Sequence, residues 1–184
     1  MNVLILTASP NRDGLTAECA QRAAEGLTEA GAEAKIICLN NAGVGLCRAC
    51  ESGWGPCRTK HRCRVEDGFQ ALHAEVCGAD ALVLVTPVYY GQMAEAAKAF
   101  FDRLRRCEAT RGESCALAGK PAIGVAAAGG SGGGTVSCLD EMNRLLAHLR
   151  MQPFDLITVT QKSRPYKPDA IAAAARTMAR PAPK

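Results

Sequence analysis

Short apolar runs alternate along this chain with segments of helical period, and that alternation leaves few folds open. Asn2 to Thr7 is a β-rich run. From Thr16 to Ala30, Cys19, Ala23, Leu27 and Ala30 recur at helical spacing, and Gly31 offers a C-cap. Ala34 to Leu39 predicts a second strand, and Asp67 is placed to N-cap a helix running to Cys77. Ala81 to Thr86 is the most purely apolar run, as a central strand requires. Met93, Ala97, Phe100, Leu104 and Cys107 mark the buried face of the next helix, with Lys98 and Asp102 paired on its exposed side. Pro121 to Ala127 predicts a fourth strand, Thr135 to Leu149 a helix, Phe154 to Val159 a fifth strand, and Asp169 to Ala179 an Ala-rich helix. Five strands separated by helices predict an α/β doubly wound parallel sheet with helices on both faces. One domain over residues 1–180 is expected, with a frayed tail at 181–184.

The net charge of +4 is small and the cations are scattered, with only short clusters such as Arg103-Leu104-Arg105-Arg106, so no footprint for nucleic acid is visible. No apolar run approaches the roughly 20 residues that span a bilayer. The first residues lack the pattern of a secretory leader, so the cytoplasm is the expected location.

Ligands of open α/β sheets bind beyond the carboxyl ends of the strands. Three segments fall there. Ala8 to Thr16 carries small hydrogen-bonding residues into a helix N-terminus, where backbone N–H groups with the hydroxyls of Ser9 and Thr16 suit a phosphate. It is neither a Walker loop nor a dinucleotide fingerprint, and taken alone it is equally an ordinary turn. Thr86-Pro-Val-Tyr-Tyr-Gly-Gln-Met93 follows the third strand. Ala128 to Gly134 has five glycines, which let backbone approach a flat ligand closely.

Residues 40–66 have no period and contain C-x2-C-x6-C-x5-C: Cys47, Cys50, Cys57 and Cys63. Four thiols on one loop, flanked by cations, suit a metal or redox centre. The other six cysteines are dispersed through core-like segments and read as small buried hydrophobes. Trp54 is either a shield for the cysteines or a packing anchor. His73 and His148 lie on predicted helices and read as structural.

The Ser-Pro-Asn-x-x-Gly-x-Thr loop, the Pro-Val-Tyr-Tyr-Gly loop running into Lys98-Ala-Phe-Phe-Asp102-Arg103, and the glycine loop together resemble the flavodoxin-like, NADPH-dependent FMN reductase superfamily. The resemblance extends from Asn2 to about Val159. It implies a flavodoxin-like sheet and an FMN-binding redox flavoprotein, fed by NAD(P)H or by a donor protein, working as a homodimer or higher homo-oligomer. No catalytic acid or base is then required, because the flavin carries the chemistry. Ser9, Asn11, Gly14, Leu15 and Thr16 would surround the phosphate, and Arg12 would pair with it or remain a solvated turn residue. Pro87, Val88, Tyr89, Tyr90 and Gly91 would line the isoalloxazine, and Gly129, Gly130, Ser131 and Gly132 would offer backbone donors at its pyrimidine edge. The cysteine loop resembles that of the iron–sulfur flavoproteins, which implies a [4Fe–4S] cluster near the flavin. Six residues separate Cys50 from Cys57 where that family has two, so three outcomes stay open. These are a cluster, a zinc site with His61 as a spare ligand, or a metal-free FMN or quinone reductase. A zinc-organised binding module without flavin is the rival from another class.

Overall fold

The computed structural model describes residues 1–180, and the expected tail at 181–184 lies outside the described residues. The elements in chain order are β1 (Asn2–Thr7), α1 (Leu15–Glu29), β2 (Glu33–Cys38), α2 (Pro56–Thr59), α3 (Phe69–Gly78), β3 (Ala81–Tyr89), β4 (Gln92–Met93), α4 (Glu95–Glu108), β5 (Pro121–Ala128), α5 (Thr135–His148), β6 (Gln152–Thr160) and α6 (Lys167–Ala179). Short 3-10 turns follow β2 and α4. Five strands run parallel in the order β2-β1-β3-β5-β6, and the direction of winding reverses between β1 and β3.

The period of two along the strands divides the core. Val3, Ile5, Val83 and Val85 point to one face, where they meet Leu27 of α1 and Ile171 of α6. Leu4, Leu6, Leu82 and Leu84 point to the other, against Phe69, Phe100 and Met142 of α3, α4 and α5. β3 is buried on both faces from Ala81 to Thr86, as its unbroken apolar run requires. The outer strand β6 carries a bulge at Pro153-Phe154, where the register against β5 slips by one residue. Proline is tolerated there because an edge strand has no further neighbour for its missing N–H.

Three expectations change. The sheet gains a sixth strand: β3 runs on to Tyr89, turns at Tyr90-Gly91 and pairs antiparallel with β4. Tyr90 and Gly91 have φ of 51° and 76°, the two positive values of a type I′ hairpin turn. Asp67 lies one residue before the cap position of the helix it was expected to cap. A Cβ at Gly68 would stand 1.7 Å from the Ala42 carbonyl oxygen, so glycine holds the cap position, and Asp67 reaches past it to accept the Phe69 N–H at 2.9 Å. Of the dispersed cysteines, Cys19, Cys107, Cys115 and Cys138 are buried, whereas Cys38 and Cys77 are only half-buried. No helix among the described residues is long and apolar enough to cross a membrane.

Gly26 fixes how closely α1 and α6 approach, because a Cβ there would lie 2.1 Å from the Ala172 carbonyl oxygen. Gly26→Ala must push the helices apart, and overpacking of this kind costs about 1–3 kcal/mol. The expected result is a lower urea midpoint with an unchanged m-value.

Candidate functional site

The loops after β1, β3 and β5 meet in one cleft of about 250 Å³ at the winding reversal. It is lined by Ser9, Asn11, Gly14, Leu15, Thr16, Pro87, Val88, Tyr89, Ala127, Gly129 and Gly130. On one side α1 begins at Leu15 behind Gly14, with no side-chain cap. Its first internal bond is Glu18 N–H to Gly14 oxygen at 3.0 Å, which leaves the N–H groups of Leu15, Thr16 and Ala17 without helical partners. Thr16 is buried beside them. The Ser9 hydroxyl accepts the Asn11 N–H at 3.2 Å and shapes the turn.

The opposite wall depends on two glycines. A Cβ at Gly134, whose φ is 79°, would stand 2.6 Å from the Gly91 Cα. The glycine loop and the β3–β4 turn therefore touch backbone to backbone. Gln161 donates to the Gly129 carbonyl at 3.0 Å and ties the loop to the end of β6. Thr86, fully buried, accepts the Ala94 N–H at 3.0 Å and ties the start of α4 to the cleft.

Five expected residues do not line the cleft. Arg12 lines a neighbouring groove of about 260 Å³ with Ile36, Cys38 and Asn41. Tyr90 is fully exposed at the tip of the turn, and Gly91 is spent on the contact with Gly134. Ser131, exposed, accepts the Gly133 N–H at 3.3 Å within its own loop, and Gly132 packs on Thr160. Ala127 is an addition. As a small residue at the carboxyl end of the fourth predicted strand, its position was readable but not its role.

The cysteine loop packs along the far half of α4. Cys47, Cys50, Cys57 and Cys63 all line one enclosed cavity with Arg103 and Arg106. As closed, it has about 20 Å³ of free space, so an occupant larger than a water requires the loop to move outward. Ala49, Glu51 and His61 adopt positive φ, a conformation that costs a non-glycine residue about 1 kcal/mol or more. Contacts, and not local preference, hold the loop. Arg106 lies over the Trp54 ring at 4.3 Å and bonds the Gly53 oxygen, which makes Trp54 a packing anchor. His61 sits 3.2 Å from the Cys107 oxygen and from the Thr110 hydroxyl, outside the cavity, and is not a spare ligand. Four thiolates on one zinc would lie about 3.8 Å apart, given Zn–S bonds near 2.3 Å. Among the described residues no three of these sulfurs come within 4.8 Å of one another. The thiol of Cys107 is a fifth sulfur nearby, pushed up to about 12 by burial and then by Cys63 and Cys57.

Arg103 is among the most buried residues of the chain. Its guanidinium grips both oxygens of Asp67 at 2.7 and 2.9 Å, donates to the Gly45 and Val65 carbonyls, and lies 4.4 Å over the Phe69 ring. Its buried Nε has no partner among the described residues. From the sequence the cysteine loop is expected beside the flavin cleft. In the folded chain the two share no lining residue.

A parallel sheet of this order with a three-loop cleft at its reversal point defines the flavodoxin-like class of α/β proteins. The chain belongs to the NADPH-dependent FMN reductase family, whose pattern matches residues 1–164. It is 28% identical over 103 residues to an iron–sulfur flavoprotein of Methanosarcina thermophila, covering 56% of this chain and 52% of that protein. It is 27% identical over 105 residues to an iron–sulfur flavoprotein of Methanocaldococcus jannaschii, covering 57% and 52%. The chain thus spans about half the length of these relatives. In fold it resembles the NAD(P)H:quinone oxidoreductase from Methanothermobacter marburgensis, with a TM-score of 0.72 at 18% identity over 100% of this chain and 98% of that one.

Burial pushes the Asp67 carboxyl up, but hydrogen bonds from Arg103 and from the Gly45 and Phe69 N–H groups, with the charge of Arg103, outweigh it and set the pKa at about 2 against an ordinary 3.8. A depressed carboxylate contributes stability above the unfolded value and loses it as pH falls through the folded one. Unfolding followed between pH 4 and pH 2 should therefore show a decline that Asp67→Asn lacks. At pH 7 that variant, leaving Arg103 buried without its anion, should be less stable by about 3 kcal/mol.

Proposed function

We propose that this protein binds FMN non-covalently in the strand-end cleft and works as an NAD(P)H-linked flavin oxidoreductase. The observation that carries the proposal is that one cleft gathers residues of all three strand-end loops around an uncapped helix N-terminus. In this reading Ser9, Asn11, Gly14, Leu15 and Thr16 hold the phosphate against the free N–H groups of α1. Pro87, Val88 and Tyr89 form one wall for the ring, and Gly129 and Gly130 supply backbone at its polar edge, with Ala127 as the floor. The Tyr90-Gly91 turn and Ser131-Gly132 shape the rim instead of touching the ring. FMN, when bound, supplies hydride acceptance and the onward passage of electrons one or two at a time. The chain positions it and leaves one side of the cleft open to a small-molecule or protein partner. The reading extends, on family resemblance, to one domain over residues 1–180 acting in the cytoplasm as a homodimer.

A second reading concerns the cysteine cavity. Four thiols lining one space beside two guanidiniums are the donor set of a [4Fe–4S] cluster, which would need the loop to open, and their spacing does not suit a four-cysteine zinc ion. Cys47, Cys50, Cys57 and Cys63 would hold it, and it would supply single-electron relay. The alternative for the same loop is a metal-free reductase.

Thr16→Glu sets a carboxylate where the phosphate would lie. FMN affinity should fall at least tenfold, about 1.4 kcal/mol, with the fold retained. A fluorescence titration reads it, and riboflavin binding as tightly as FMN would remove the phosphate site. For the loop, iron and acid-labile sulfide are measured after anaerobic preparation. Serine at Cys47, Cys50, Cys57 or Cys63 should lower both, while serine at Cys19 or Cys138 should leave both unchanged.

A further inference from the structure

A second group of metal-ligating side chains lies outside both the cleft and the cysteine cavity. His73 and Cys77 stand four residues apart on α3 and so share one helix face. Glu108, the last residue of α4, approaches that face with its side chain almost fully buried. One ligand atom from each lies within 4.8 Å of the other two, the one such group among the described residues. His73 Nε2 is 2.8 Å from Glu108 Oε1, and the imidazole is set by stacking on Phe69 at 5.3 Å.

We propose that His73, Cys77 and Glu108 form a binding site for a single zinc ion. One nitrogen, one sulfur and one carboxylate oxygen are the donor set of a borderline cation and unsuited to magnesium or calcium. Zinc replaces the Cys77 thiol proton, which leaves to solvent; the proton that His73 Nε2 shares with Glu108 is given up to water while Nδ1 keeps or takes one, so that Nε2 and Glu108 Oε1 each offer a lone pair. Thiolate and carboxylate then balance the charge of the ion. The His73 side chain keeps 18% of its surface exposed and Cys77 is partly exposed, which gives the ion an entry path and a water its fourth position.

The cations around the site are Arg111 and Lys120. Arg111 lies 3.7 Å from Glu108 Oε1 but is about one-third exposed and can turn to water. Lys120 is engaged at 2.6 Å by the Cys77 carbonyl oxygen. The second Glu108 oxygen accepts the Ala116 N–H at 3.0 Å, which orients the carboxylate without using Oε1. The ion would pin the end of α3 to the end of α4 at the amino edge of the sheet, opposite the cleft. It is therefore a brace, independent of the flavin reading.

The test uses the full chain, reduced and stripped with a chelator, carrying Cys47→Ser and Cys50→Ser to silence the loop. Zinc is titrated by calorimetry, with Co2+ as a coloured stand-in. One equivalent should bind, with a thiolate charge-transfer band for Co2+ and a thermal midpoint that rises with zinc. Cys77→Ala and His73→Ala should each weaken binding by about 100-fold or more, beyond the loss of an outer-shell partner. Circular dichroism and FMN titration on the same samples report the fold and the flavin site separately. In the unsubstituted chain, zinc should slow alkylation of Cys77 read by mass spectrometry, a measurement that needs no variant to fold. A folded Cys77→Ala chain with unchanged zinc affinity, or Cys77 alkylation indifferent to zinc, overturns the proposal.

Discussion

The pair formed by buried Arg103 and partly exposed Asp67 is the contact on which the unusual part of this structure rests. Residues 40–66 have no hydrophobic period, and several sit in left-handed backbone that local preference opposes. What gives the loop one conformation is a guanidinium delivered from α4, bound at once to a carboxylate before α3 and to carbonyls at both ends of the cysteine segment. Taking that charge out of water is costly, and the pairing repays it because four of its donor directions are used on well-placed oxygens. Lysine cannot replace it, since a point charge has no planar fork to hold both carboxylate oxygens and two carbonyls.

Much of this was legible. The alternation of apolar runs with helical periods is a global pattern, and every strand and helix it predicts is present within a residue or two, β3 excepted. The three strand-end loops were legible because strand order alone brings them together. What failed to show in the sequence depends on pairwise geometry. Arg103 is one of three arginines among residues 103–106, and periodicity cannot say which of them turns inward to meet an anion 36 residues earlier. The hairpin after β3 was missed because its turn is Tyr-Gly, where Asn-Gly or Asp-Gly is the usual signal. Arg12 and Ser131 belong to the right loops but point elsewhere, and direction within a loop is set by hydrogen bonds of single atoms. Glu108 was invisible as a ligand because its partners lie on a different helix.

α4 organises the molecule along its length. Its start is tied to the cleft through Thr86 and Ala94, its middle carries the clasp for the cysteine loop, and its end supplies Glu108 to the pair with His73. Outward movement of the loop would be felt first through Arg103 and Arg106, and only then through the helix.

The β3–β4 turn sets a limit on engineering this chain. Tyr90 occupies a positive-φ position where asparagine or glycine would relax the backbone, and it exposes its whole ring to water. Replacing it would be a natural choice for anyone seeking heat resistance, since both backbone and solvation favour the smaller residue. Such a chain would be sturdier and would have lost the most exposed aromatic surface on the rim of its cleft. Durability and the equipment of the cleft rim are in direct competition at this one residue.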